Sequence, residues 1–156
     1  MRGDALIARL QLAPHPEGGW YRRLYASELT VAAPAGPRPA VTTILYLLRA
    51  GEVSRWHRVR ADEIWHFYEG AALDLYRADP ALERVDAAPL GPLDAGEPVA
   101  VVPADHWQAA RSRGDYSLVG CTVAPGFDFA DFALMADDAA ASALLRARHP
   151  AFGDLL

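Results

Sequence analysis

The chain has 156 residues, 52% of them hydrophobic, enough for one domain with its own core. Its formal net charge is −5, and all fifteen basic residues are arginines scattered along the chain, which argues against a nucleic-acid partner and against an anionic membrane surface. No apolar run approaches the roughly 18 residues of a membrane span, and the lone Cys121 leaves neither an intrachain disulfide nor a structural cysteine-based zinc site.

The opening MRGDALIARLQL carries Asp4 and is too short and interrupted for a signal peptide, so a cytoplasmic protein is expected. Residues Asp4 to Leu12 predict a short helix with Asp4 as N-cap and Leu6, Ile7 and Leu10 on one face. Pro14-His15-Pro16-Glu17-Gly18-Gly19 breaks it. WYRRLYAS then reads as a strand, and Ala32 to Pro39 as a loop. Val41 to Leu48 is β-branched and apolar on both faces, as a central strand buried on both sides would be. Short strands follow at Glu52 to Val59, Glu63 to Tyr68 and Leu73 to Tyr76, and a loop is expected over Asp79 to Pro98. VAVVP, HWQAAR and YSLVGCTVA complete the β set, which suggests a sandwich or barrel. APGFDFADF is a turn whose aromatics close one end, and Asp137 to Arg148 predicts a C-terminal helix stopped by Pro150.

The densest chemistry lies in Gly51 to Gly70, GEVSRWHRVRADEIWHFYEG. Together with PHPEGGWYR, VVPADHWQAAR and LVGCTVAPGFDFADFAL, it resembles the small cupins of the DUF985 or Cupin_5 family across nearly the whole chain, the terminal helix included. The resemblance implies an all-β fold, the double-stranded β-helix or jelly-roll barrel of the cupins, with short N- and C-terminal helices and one domain over residues 1–156. In fold the family is similar to epimerases of the dTDP-4-dehydrorhamnose type. It is usually homodimeric and has no settled activity. On the general cupin pattern, His57, Glu63 and Gly70 fall on the first-histidine, glutamate and glycine places of the first motif, while Val59 stands at the second histidine place. In the second motif Pro103 is in place, Asp105 stands where glycine is expected and Gln108 where histidine is expected.

Three readings follow. The first is acid–base catalysis on a small polar, carbohydrate-like ligand by a metal-independent, isomerase- or epimerase-like enzyme. His57 is the base, Glu63 orients or tunes it, and Tyr21, Tyr46 or Tyr116 is the opposing donor. The second is a non-catalytic binding or sensing protein with the same pocket. Strand alternation groups Trp65 and Phe67 with Glu63, faced by Trp107 and Gln108, with Ser54 at the mouth and Arg58 or Arg111 to meet a phosphate or carboxylate. The third is a metal-dependent oxygenase or isomerase holding a divalent metal on His57, Glu63 and Gln108; this donor set is thin, and alternation turns His66 away from Glu63, while His106 is placed on neither face. His15 reads as a structural hydrogen-bonding residue, Gly18 and Gly19 as backbone necessities rather than a phosphate loop, Trp20 and Trp56 as core or interface, Cys121 as a buried inert thiol and His149 as surface.

Overall fold

A computed structural model describes residues 1–156. Strands β1 (Ala13–Pro14), β2 (Trp20–Ala26), β5 (Thr42–Arg49), β12 (Tyr116–Ala124), β7 (Asp62–Gly70) and β10 (Val99–Val102) form one sheet in that spatial order. A second sheet runs β13 (Phe132–Leu134), β6 (Val53–Val59), β11 (Trp107–Ser112), β8 (Leu73–Ala78) and β9 (Val85–Leu90). A small ribbon pairs β3 (Thr30–Val31) with β4 (Arg38–Pro39). All pairings between these strands are antiparallel. The sheets face each other as a jelly roll and remain two hydrogen-bonded units; the barrel is not closed strand to strand.

Period-two alternation sorts each strand into an inner and an outer face. The inner core between the sheets gathers Tyr46 and Leu48 of β5, Trp65 of β7, Leu73 and Leu75 of β8 and Val119 of β12. The outer face of the first sheet is covered by helix α1 (Arg2–Leu10), whose Leu6, with Leu12 just beyond, packs on Leu47 and Leu118. The outer face of the second is covered by helix α2 (Ala139–Arg148) and the 3-10 turn Pro150–Leu155 after it. There Trp56 and Trp107 lie under Met135, Leu145 and Leu155, and the Trp56 indole donates to Phe152 O at 3.1 Å. Burying these two indoles outside the sheet is why the C-terminal segment folds back.

Several boundaries differ from expectation for physical reasons. Asp4 is not the N-cap: the helix starts at Arg2, and Asp4 sits in its first turn, pairing with Arg49 at 2.8 Å. Asp79 to Pro98 is not all loop, since Val85–Leu90 adds β9 to the free edge of the second sheet, where Pro89 forfeits no interior hydrogen bond. Helix α2 begins two residues late because Met135–Asp137 forms a 3-10 turn and the Asp138 side chain caps Ala141 N. Asp105, at the glycine place, takes φ 63°. Aspartate tolerates this left-handed region better than most residues, so the turn forms without glycine, and Asp105 N donates to Val59 O at 2.9 Å.

Candidate functional site

A β-bulge builds the site. In β6 against β11, Gln108 pairs with His57 and Ala110 with Ser54, so two residues of β6 oppose one of β11. Regular alternation would send Ser54 and His57, three apart, to opposite faces. The extra residue turns both inward and leaves Trp56 outside. Both side chains meet Glu17, which the β1–β2 loop brings in from the first sheet. Ser54 Oγ donates to Glu17 Oε1 at 2.8 Å, and His57 Nε2 lies 3.2 Å from Glu17 Oε2. Glu17, Ser54 and His57 are all buried. Gly18 and Gly19 hold the loop at φ 108° and 69°, conformations suited to glycine, and the Tyr46 hydroxyl donates to Gly18 O at 2.6 Å.

The protons of this cluster follow from its contacts. His57 Nδ1 lies 2.7 Å from Arg55 O, which can only accept, so Nδ1 carries the hydrogen. Its Nε2 and the facing Glu17 oxygen therefore share one proton. Burial pushes the Glu17 carboxyl up and the His57 imidazole down, which favours the neutral form of each. His15 completes the loop side: its Nδ1 accepts from Glu17 N at 3.2 Å and lies 3.4 Å from Glu17 Oε2. Burial lowers the His15 imidazole as well.

Glu63 comes from β7. Burial raises its carboxyl to about 7, with His57 pulling it down and Glu17 pushing it up. It accepts from Gln108 Nε2 at 2.6 Å, and Gln108 Oε1 in turn accepts from the Trp65 indole at 2.8 Å. This chain fixes the Gln108 amide with its oxygen turned away from Glu63. Cys121 lies beside Glu63, and burial holds its thiol well above the ordinary range.

These groups line a cavity of about 500 Å³ whose polar floor is Glu17, His57 and Glu63. Ile44, Val59 and Val123 are among its apolar walls, Tyr21 and Tyr46 add aromatic ones, and Phe127 and Phe129 of the turn after β12 close one side. Arg22 and Arg23 of β2 also border it.

Of the residues singled out by sequence, His57, Glu63, Tyr21 and Tyr46 border the cavity. Ser54 and Gln108 stand behind its floor as hydrogen-bond partners rather than at a mouth. Trp65 shares Glu63's side of β7 but lies in the inner core with Phe67 packed there, so neither borders the cavity. Trp107 is on the opposite face of β11 from Gln108 and stacks under Arg58, whose guanidinium carbon is 4.4 Å from the ring centroid. Arg111 pairs with Asp154 at 2.6 Å, and Tyr116 donates to Glu69. His15 and Cys121 border the cavity, and His149 is tied to Leu82 O at 2.9 Å rather than free on the surface. Glu17 went unrecognised. The available signal was its place in PHPEGG, two residues after a histidine and directly before two glycines; its burial was not legible.

The metal reading meets a donor set that does not fit it. Val59 offers no donor, the Gln108 amide is committed to Trp65 and Glu63, and His57 Nε2 faces Glu17. No group of three or more His, Cys, Asp or Glu side chains is arranged to hold a metal ion. No helix is long and apolar enough to cross a membrane.

A family model described as Cupin superfamily (DUF985), Cupin_5, matches residues 4–135 and so stops short of helix α2. The crystal structure of protein SO0799 from Shewanella oneidensis is similar at 39% identity and TM-score 0.82, over 97% of this chain and 92% of that one. A hypothetical protein from Leishmania major is similar at 29% identity and TM-score 0.83, over 97% and 94%. Oxalate decarboxylase from Bacillus subtilis is 14% identical with TM-score 0.62, over 88% of this chain and 34% of that one, and shows the fold alone. No curated protein matches the chain.

Proposed function

The chain belongs to the Cupin_5 (DUF985) family of the cupin superfamily, and from that premise we propose that its cavity encloses a small polar carbonyl compound and moves a proton next to the carbonyl. The reaction class is isomerisation or epimerisation of a carbohydrate-like molecule, without a metal. One observation carries this reading: two carboxyl groups and an imidazole, all buried, line the floor of one cavity, with a single proton shared between His57 and Glu17 and a second held by Glu63 near neutral pH. The His57–Glu17 pair accepts the carbon-bound proton: as the shared proton passes to His57 Nε2, the Glu17 carboxylate, anchored by Ser54, takes the new one, and the pair ends with one proton on each partner and a positive charge on the imidazole. Glu63, protonated below about 7, supplies a proton to the developing oxyanion. The apolar walls keep bulk water from competing for these protons.

The test is solvent-deuterium exchange. Reducing sugars, sugar phosphates and uronates are incubated with the protein in deuterated buffer containing a chelator, and the carbon-bound hydrogen beside the carbonyl is followed by proton NMR. Exchange is expected for at least one compound, slowed on the order of 100-fold or more in His57→Ala. Exchange that survives both His57→Ala and Glu63→Gln would place the chemistry elsewhere. Exchange that vanishes in chelator and returns with one metal would overturn the metal-independent reading, and binding without exchange would leave a ligand-holding role.

A further inference from the structure

The proposed reaction leaves two arginines at the cavity, Arg22 and Arg23, unused. Strand β2 pairs with β5 so that Tyr21 lies opposite Tyr46 and Arg23 opposite Ile44. Tyr46 and Ile44 border the cavity, so alternation puts the Arg23 side chain on the cavity side of β2, while Arg22, opposite Leu45 at the alternate position, also borders the cavity. Arg23 is exposed, whereas Glu17, His57 and Glu63 are buried, so Arg23 belongs to the rim and the acid–base groups to the floor. The ion pairs of this acidic protein engage Arg2, Arg38, Arg49, Arg77, Arg111 and Arg113. Arg23 is not among them, and its guanidinium keeps all its donors free for a ligand.

From this placement we infer that the natural ligand is an anion, a phosphorylated or carboxylated sugar-like molecule, whose charged group is held by Arg23 at the rim while its neutral carbonyl end reaches His57 and Glu63. This rests on the proposed function and gives its substrate class. The floor itself dictates the orientation. It is buried and holds two carboxyl groups, so an anionic group placed there would lose its hydration and meet no cation. At the rim, a guanidinium offers a planar fork of donors that matches phosphate or carboxylate. An anion therefore enters with its neutral end first.

The experiment titrates galactose, galacturonate and galactose phosphate into the wild-type protein, Arg23→Gln and Arg146→Gln, reading affinity by calorimetry at low and high salt. Wild type should bind at least one of the two anions roughly tenfold or more tightly than galactose, as one charge-assisted hydrogen-bonded pair warrants, and added salt should weaken that preference. Arg23→Gln should abolish the preference without changing galactose affinity; Arg146→Gln, with the same loss of charge on helix α2 away from the cavity, should keep it. Whether the phosphate or the uronate is preferred separates the two anion chemistries. Equal affinity for galactose and both anions, or a preference that survives Arg23→Gln or is lost equally in Arg146→Gln, overturns the assignment while leaving the acid–base reading intact. Binding of none of the three to wild type overturns both.

Discussion

Replacing Glu63 with glutamine makes the buried carboxyl measurable through stability. Its folded-state pKa is raised from 4.5 to about 7, chiefly by burial. Below the unfolded value both states hold the proton and the group contributes no difference. Between 4.5 and about 7 the unfolded chain ionises while the folded one keeps its proton, so wild-type stability falls as pH rises. Above about 7 the folded carboxylate is ionised in its buried setting and the whole loss stands. At about 1.4 kcal/mol per pKa unit, the displacement corresponds to about 3 kcal/mol. The substituted amide keeps the shape and an oxygen for Gln108 Nε2 but never ionises. The advantage of Glu63→Gln over wild type should therefore grow by about 3 kcal/mol between about pH 4 and about pH 8. His57, lowered by burial, tilts stability the other way in both proteins, and the difference between them removes most of that slope. Urea unfolding followed by tryptophan fluorescence at a series of pH values measures it, with equal m-values as the check that both unfold alike. A difference that stays flat across this range would refute the claim that Glu63 holds its proton near neutrality, and with it the role of proton donor.

Two further outcomes probe the frame that holds the site. Trp56→Ala should destabilise the fold by about 3–5 kcal/mol in chemical denaturation, because it empties a fully buried indole site beneath α2 and strips Phe152 O of its donor; a loss below about 1 kcal/mol would mean that the C-terminal segment does not rest on that ring. Gly19→Ala should cost about 1–3 kcal/mol, since the residue sits at φ 69° and an added Cβ would lie 2.8 Å from both the Tyr46 hydroxyl oxygen and Leu48 Cδ2. The same variant should slow the proposed deuterium exchange with any active sugar, by displacing the loop that carries Glu17.

The strands were legible where side chains repeat with period two. Tyr116 to Ala124 was read to the residue, and Val41 to Leu48 to within one residue at either end, because β-branched and apolar residues fill both faces of strands central to a sheet. Strand β9 was hidden by its composition, VDAAPL, which an edge position tolerates and a propensity reading discards. For the site, His57 and Glu63 were legible from the first cupin motif that the Gly51 to Gly70 stretch resembles. The partnership of His57 with Glu17 was not, because it joins residues 40 apart in sequence through a loop whose burial has no periodic signature. The bulge in β6 was equally invisible: counting alternate residues cannot register an extra one, so the shared facing of Ser54 and His57 emerges only from the pairing. Trp65 lies outside the cavity for a related reason. Trp65 is on the predicted side of its strand, but the inner space divides into a solid core and a cavity, and alternation does not distinguish them.

The segment after Met135 lies outside the family match, yet it is what keeps the back of the second sheet dry. Trp56 is the immediate chain neighbour of His57, pointing outward where the imidazole points inward. A rigid lid over the indole therefore also fixes the backbone from which the imidazole hangs. Variation in the terminal helix, remote from any ligand, can reach the reacting groups through one peptide unit. Homologues that replace this helix must supply another apolar cover for the same spot, or let the strand beneath it loosen.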